Sequence, residues 1–275
     1  MPRWAAALVS QLVRNAPPIV SVELVERLLT ENGETLEPKV AVSRLIKYGW
    51  LRKTKVQGAY AFIPPGTDTI ADPYVDLRGW SAAHPGARFS LAGVSAAWHL
   101  GYLYREPERP AVWFDSAINV PKRLRATLDI VTTGFPAYID VRKLGPSSKI
   151  LRSRRLDILD WAKGLPAFGP EALLVQISSR PAGFSGWVDL AGRLKEFAAD
   201  VDLDRLAELL PAASAGTRQR IVYLLKLGGR RGTKKFLPKV LLPAKFGTKG
   251  PASWDATTGI IDHLLAPLIH ANSKA

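Results

Sequence analysis

Pro38-Lys39-Val40-Ala41-Val42-Ser43-Arg44-Leu45-Ile46-Lys47-Tyr48-Gly49, followed at once by Trp50-Leu51-Arg52-Lys53-Thr54-Lys55-Val56, is the stretch on which the fold turns. Proline is tolerated in the first turn of a helix and glycine ends one, so residues 38–49 read as a helix with both ends marked. At about 100° per residue, Val42, Leu45, Ile46 and Gly49 fall on one face. Val40, Ser43, Arg44 and Lys47 fall on the other, with Lys39 at its margin. Such a helix can bury one side and hold a polar, basic side out.

Its neighbours complete a unit. Trp4, Leu8, Val9, Leu12 and Val13 recur at helical spacing across residues 3–14, and Pro17-Pro18 stop that helix. Ser21 is placed to cap a second helix, with Glu23 in a first turn where negative charge suits the helix dipole. Leu24, Val25, Leu28 and Leu29 form its apolar stripe, and Asn32-Gly33 closes it. After residue 49, runs at 50–56 and 59–63 joined by Gln57-Gly58 read as a β-hairpin, which Pro64-Pro65-Gly66 ends. Three helices and a hairpin in this order describe a winged helix-turn-helix, expected as a first domain at residues 1–70.

The remainder, residues 71–275, is expected as a second, larger domain. Residues 66–86 read as linker, and 90–101 as a short helix rich in small residues that ends at Gly101. Strands are expected at 111–114, 117–120, 129–133 and 139–143. Helices are expected at 157–163, 171–178, 187–199, 202–210, 217–227 and 256–270. The fold class is therefore α+β: an N-terminal winged helix-turn-helix, then a mixed α+β domain with strands first and helices after.

Charge narrows the function. The chain has 38 Lys+Arg against 24 Asp+Glu, a net charge of +14, and 47% hydrophobic residues. A surface this basic concentrates near polyanions, because each phosphate it neutralises releases condensed counterions. Residues 151–275 carry 19 of the cations and 11 of the carboxylates, or +8 of the total. Within them, residues 209–254 contain Arg218, Arg220, Lys226, Arg230, Arg231, Lys234, Lys235, Lys239, Lys245 and Lys249 and no acidic residue. No apolar run has the length of a membrane span, and the N-terminus lacks the pattern of a signal peptide. Without cysteine there is no disulfide, thiol nucleophile or thiolate metal site, and the expected location is the cytoplasm.

A recognition helix needs an apolar face to hold it and a polar face to reach base edges. Arg44 can give two hydrogen bonds to guanine, Ser43 can pair with a base or a phosphate, and Lys39 and Lys47 suit phosphate. Arg52, Lys53 and Lys55 on the hairpin suit the backbone or an adjacent minor groove. In the acid-free stretch, Arg218, Arg220, Arg230, Arg231, Lys234 and Lys235 are expected to touch DNA phosphates and add affinity with little specificity.

Val42-Ser43-Arg44-Leu45-Ile46-Lys47-Tyr48-Gly49-Trp50-Leu51 with Gly58-Ala59-Tyr60-Ala61-Phe62 resembles the winged-helix half of the AbiEi family of antitoxins. Ser95-Ala96-Ala97-Trp98-His99-Leu100-Gly101 is similar to a Ser-Ala…His-Gly segment of that family, with Leu100 inserted. Residues 201–206 and 220–228 are similar to its later helices. The resemblance covers most of residues 3–230 and leaves 231–275 outside. It implies a transcriptional regulator of a type IV toxin–antitoxin pair that represses its own operon; the basic face of residues 39–47 and the basic hairpin make inverted repeats the expected site. It also implies a nucleotidyltransferase-like toxin, opposed without a stable complex. On that basis Ser43, Arg44 and Lys47 are carried over as groove-facing residues.

Other chemistries fit less well. Gly228-Gly229-Arg230-Arg231-Gly232-Thr233-Lys234-Lys235 misses the phosphate-loop spacing, and its GxxG is too short to specify an RNA clamp. Asp129, Asp140 and Lys143 bear on a metal-dependent nuclease, but Asp140 and Lys143 are one residue too far apart. His263 and His270 are not at zinc-helix spacing, and His99 lies among apolar residues. No catalytic residue, metal or cofactor is expected. The alternative of another class is an adaptor that neutralises a partner toxin directly through its basic C-terminal segment.

Overall fold

The computed structural model describes residues 1–67, 70, 72–85, 87, 89–114, 119–131, 165–248 and 251–272. The expected strand at 139–143, the helix at 157–163, and Asp140 and Lys143 lie outside the described residues. Two compact units are present, the first formed by residues 1–88 with 119–128.

The first unit opens with α1 (Arg3–Asn15), which buries Ala5, Leu8, Val9 and Leu12, and α2 (Val22–Glu31), which buries Val25, Leu28 and Leu29. The Ser21 hydroxyl accepts from the Leu24 amide at 3.2 Å, satisfying one of the amides that a helix start leaves without an intrahelical partner. Helix α3 (Pro38–Lys47) has proline in its first turn and buries Ala41, Val42 and Leu45. These side chains form one core with α1 and α2. Strands β2 (Leu51–Lys53) and β3 (Ala59–Phe62) pair antiparallel, Leu51 opposite Phe62 and Lys53 opposite Tyr60.

Three details of this unit depart from the sequence reading. A two-residue strand, β1 (Val20–Ser21), pairs with β3 and makes the sheet three-stranded, in the order β1-β3-β2. The hairpin does not turn at Gln57-Gly58 alone: regular pairing stops at Lys53, and Thr54 takes over. Its hydroxyl donates to the Ala59 carbonyl at 2.9 Å and accepts from the Val56 amide at 3.1 Å. The expected linker contains a helix, α4 (Val75–Ala83), with Tyr74, Leu77 and Trp80 buried. Arg78 pairs with Asp72 at 2.5 Å and is itself almost wholly buried. Gly79 brings α4 against β3, since a methyl there would lie 2.8 Å from the Ala59 side chain.

In the second unit, β4 (Phe89–Leu91) pairs antiparallel with β5 (Ala111–Phe114), and β5 pairs parallel with β6 (Asp129–Ile130). Ser90 and Leu91 thus belong to a strand, and the helix expected from residue 90 begins later, as α5 (Gly93–His99). A short helix, α6 (Lys122–Arg125), precedes β6 in sequence and belongs to the first unit. Helix α7 (Pro170–Ser179) is buried from Pro170 to Ser178 and packs against the later helices. The helix expected at 187–199 is broken at Arg193 into α8 (Trp187–Gly192) and α9 (Leu194–Asp200). Then come α10 (Leu203–Leu209) and α11 (Ala215–Leu227).

The order of strands first and helices after does not hold to the end. A sheet of β7 (Ala244–Phe246), β9 (Ile260–Asp262) and β8 (Ser253–Asp255), in that spatial order, follows α11. It takes up part of the helix expected at 256–270, and α12 (Leu265–Asn272) supplies only the end of it. The apolar pair Ile260-Ile261 fits either period, and the turn at residues 256–259 decides for a strand.

Polar groups buried in this unit hold the starts of helices and of a strand. Gln176 accepts from the Gly93 amide at 2.9 Å, Glu171 accepts from the Asp202 amide at 2.8 Å, and Ser95 accepts from the Ala111 amide at 2.8 Å. Asp262, with no exposed surface, accepts from the Leu264, Leu265 and Ala266 amides and from the Tyr223 hydroxyl at 2.6 Å. Burial, then the Asp262 carboxylate, push the Tyr223 phenol far above its usual range.

Among the described glycines of the second unit, Gly228 leaves the least room for a side chain. A methyl there would sit 2.3 Å from the Ala198 side chain and 2.6 Å from the Leu194 carbonyl, so α11 meets α9 backbone to backbone. Overpacking of this kind costs about 1–3 kcal/mol. Gly228→Ala is expected to lower the unfolding free energy from urea titration by that amount, whereas a substitution at exposed Arg231 leaves it unchanged.

Candidate nucleic-acid interface

Complete burial of Leu45 and Ala41 fixes the rotation of α3 about its axis. With Val42 at 3% exposure, the remaining arc is forced outward, and Lys39, Val40, Ser43, Arg44 and Lys47 are all exposed. Ala41, which the sequence reading left unassigned, joins the packed face. Tyr48, 42% exposed, extends the outer surface past the end of the helix, where the periodicity reading, which stopped at Gly49, assigned it no face.

Strands β2 and β3 follow α3 in the same unit. Arg52, Lys53 and Lys55 are exposed along the first arm of the hairpin, while Leu51 turns into the core. The Lys55 amide donates to the Asp76 carboxylate at 2.7 Å, which ties the hairpin loop to α4 and leaves the ammonium outside. The Thr54 hydrogen bonds stiffen the same loop, so these cations stand on a braced ribbon.

The six cations expected from the acid-free stretch divide in two. Arg218 donates to the Phe236 carbonyl at 2.9 Å, which fixes the chain after α11. Arg220 donates to the Lys245 carbonyl at 2.7 Å and the Ser178 carbonyl at 3.1 Å, and its burial pushes its pKa down. Arg230 donates to the Val201 carbonyl at 3.2 Å and lies within 3.4 Å of that of Ala199, beyond the end of α9. These three brace the fold with part of their guanidinium groups and are half-buried. Lys226 is likewise committed, to Asp255 at 2.6 Å. Arg231, Lys234 and Lys235 remain exposed, Lys235 over the Phe236 ring at 5.1 Å.

Nothing comparable assembles around the titratable residues. Among the described residues no group of three His, Cys, Asp or Glu is placed to hold a metal ion. Asp129 forms an ion pair with Arg109 at 3.5 Å. Among the described residues no helix is long and apolar enough to cross a membrane.

The model of the AbiEi antitoxin C-terminal domain matches residues 90–227, half of the chain. The chain belongs to the AbiEi antitoxin family. The AbiEi match begins within β4 and ends on the last residue of α11, so it spans the first sheet of the second unit and the helices built on α7. Across 99% of its length the chain is also similar to a crystallised RV2827C protein from Mycobacterium tuberculosis. The identity is 40%, the match covers 96% of that chain, and the TM-score is 0.83. No curated protein matches it. An AbiEi domain assigns the chain to toxin–antitoxin regulation, in a family that is generally non-enzymatic.

His99 lies within the AbiEi domain, on α5 beside the Trp98 ring. Burial pushes its imidazole down to about 4, which keeps it neutral in the folded chain at pH 7. Between about pH 4 and pH 6.5 the unfolded chain therefore binds a proton that the folded chain refuses. Stability should fall as pH drops through that window and level out below it. In urea titrations at pH 5 and pH 7.5, His99→Gln should narrow the difference between the two midpoints. An unchanged difference would assign the acid sensitivity to other groups.

Proposed function

We propose that this AbiEi protein is a sequence-specific, double-stranded-DNA-binding repressor, with a winged helix-turn-helix as its reading head. It acts as the antitoxin of a type IV pair and controls its own operon at inverted repeats in the cytoplasm. The observation that carries the reading is the rotation of α3: Ala41, Val42 and Leu45 lie inside, and Ser43, Arg44 and Lys47 outside. The order α1, α2, α3, hairpin and the three exposed hairpin cations support it further. Residues 1–70 then carry the DNA-reading machinery, and residues 71–275 carry the antitoxin activity against a nucleotidyltransferase-like toxin.

Division of labour follows from chemistry. Arg44 reads a guanine through two hydrogen bonds, and Ser43 bonds a base or a phosphate. Lys39, Lys47, Arg52, Lys53 and Lys55 neutralise phosphates. Of the acid-free stretch, Arg231, Lys234 and Lys235 supply further phosphate contacts, their side chains being exposed.

Gel-shift titration on the region upstream of the gene, with random duplex as competitor, tests the reading directly. Arg44→Ala is expected to cost about 1–3 kcal/mol and to relax the preference at one position of each half-site. Lys53→Ala should weaken operator and random duplex alike. A wild-type protein that does not prefer the upstream region over random duplex would end the repressor reading. Tight co-purification with the neighbouring gene's product would replace type IV behaviour with direct neutralisation.

The exposed C-terminal cations have a separate readout. Replacing Arg231, Lys234 and Lys235 together by alanine should reduce the slope of log affinity against log salt by up to about 3. An unchanged slope, in a variant with wild-type unfolding behaviour, would assign these three residues to a partner other than DNA.

A further inference from the structure

The outward face of α3 is not wholly polar, and its exception sits at the centre. Relative to Val40, Ser43 lies about 60° to one side, Lys47 about 20° to the same side and Arg44 about 40° to the other. The buried residues Ala41, Val42 and Leu45 fall on the opposite half of the wheel. Val40 is 37% exposed and belongs to no core cluster, whereas Val42, two residues on, is buried at 3%. A β-branched residue on an exposed helical face is a weaker helix former than alanine, and Val40 adds nothing to either core cluster. Helix propensity and the core give no reason for valine over alanine at position 40.

Its surroundings suit one kind of contact. A branched aliphatic side chain offers two methyl groups and no hydrogen-bond donor or acceptor. Among the groups that double-stranded DNA presents in the major groove, the thymine 5-methyl is the apolar one. Val40 also lies in the first turn of α3, the part of a recognition helix that comes closest to base edges. We propose that Val40 is a specificity-determining residue that packs on a thymine methyl in each half-site. It stands one turn before Arg44. Four residues advance the helix by about 6 Å, so the thymine lies about two base pairs from the guanine that Arg44 contacts. The inference rests on the proposed DNA-binding function and gives it a chemical content that charge alone cannot: a hydrophobic reader between hydrogen-bonding ones.

The experiment begins with duplexes selected by the wild-type protein from a random library. Each thymine of the selected half-site is replaced in turn by uracil, which removes only the 5-methyl group. One position should weaken wild-type binding about fourfold, the worth of one buried carbon. Val40→Ala should bind the thymine duplex more weakly and lose that sensitivity to uracil. Val40→Thr, which keeps one γ-methyl, should retain part of it. Replacing guanine by 7-deazaguanine about two base pairs away should weaken wild type and Val40→Ala equally and should not affect Arg44→Ala. If selection yields a site and 7-deazaguanine behaves so, but no thymine shows a methyl effect dependent on residue 40, the proposal about Val40 is overturned and the repressor reading stands. If selection yields no preferred sequence, both are overturned. Equal thermal unfolding of wild type, Val40→Ala and Val40→Thr separates either result from misfolding.

Discussion

Burial of the Ala41–Val42–Leu45 face of α3 is the constraint on which the first unit depends. A helix carries side chains in every direction, and nothing in α3 alone decides which of them a partner meets. Packing against Leu8, Leu12, Val25, Leu28 and Leu29 removes that freedom. Once Leu45 is fully buried, the directions of Ser43, Arg44 and Lys47 follow from helix geometry. A polar substitution at position 45 would therefore misdirect the proposed reading residues as well as weaken the core. The hairpin inherits the same frame, because Leu51, the first residue of β2, belongs to that core and its neighbours Arg52 and Lys53 do not.

The second unit is organised by a different device. Helix α7 is buried along nearly all its length, and such a helix would ordinarily be apolar all round. Glu171, Gln176 and Ser178 interrupt it, and the first two accept from backbone amides at the starts of other segments. Asp262 does the same for α12. Buried polar side chains of this kind convert an amide without a helical partner into a fixed joint between elements far apart in sequence. The AbiEi match covers the part of the chain where these joints are made around α7.

Local signals were the legible ones. Pro38, Ser21, Gly33 and Gly49 mark helix ends through backbone chemistry that needs no partner, and α2 and α3 lie where those marks put them. The face of α3 was legible because its period is strong. Strand β1 was not, since two residues carry no period and its pairing with Tyr60 and Ala59 spans forty positions. Helix α4 was hidden by the Pro, Gly and Asp around it, although Tyr74, Leu77 and Trp80 repeat every third residue. The split among the basic residues was wholly invisible. Arg230 and Arg231 are adjacent and identical, and only the folded chain shows that one faces the Val201 carbonyl and the other faces water. A sequence with no acidic residues nearby suggests unpaired charge, but a backbone carbonyl also accepts from a guanidinium and leaves no trace in composition.

Arg218, Arg220 and Arg230 then separate two quantities that formal charge runs together. Bonded to carbonyls, they are poor ligands for a phosphate, which would have to displace part of the fold to reach them. Their charge is nevertheless not neutralised, because a carbonyl is a dipole and carries no net charge. Within the Debye length of about 8 Å at physiological salt, an approaching polyanion still feels all three. If the protein binds DNA as proposed, they belong to the field that guides encounter and speeds association more than to the groups that set how long a complex lasts. On the proposed reading, attraction and grip are carried by different arginines, so the rate of arrival at a polyanion and the rate of departure from it are free to change independently.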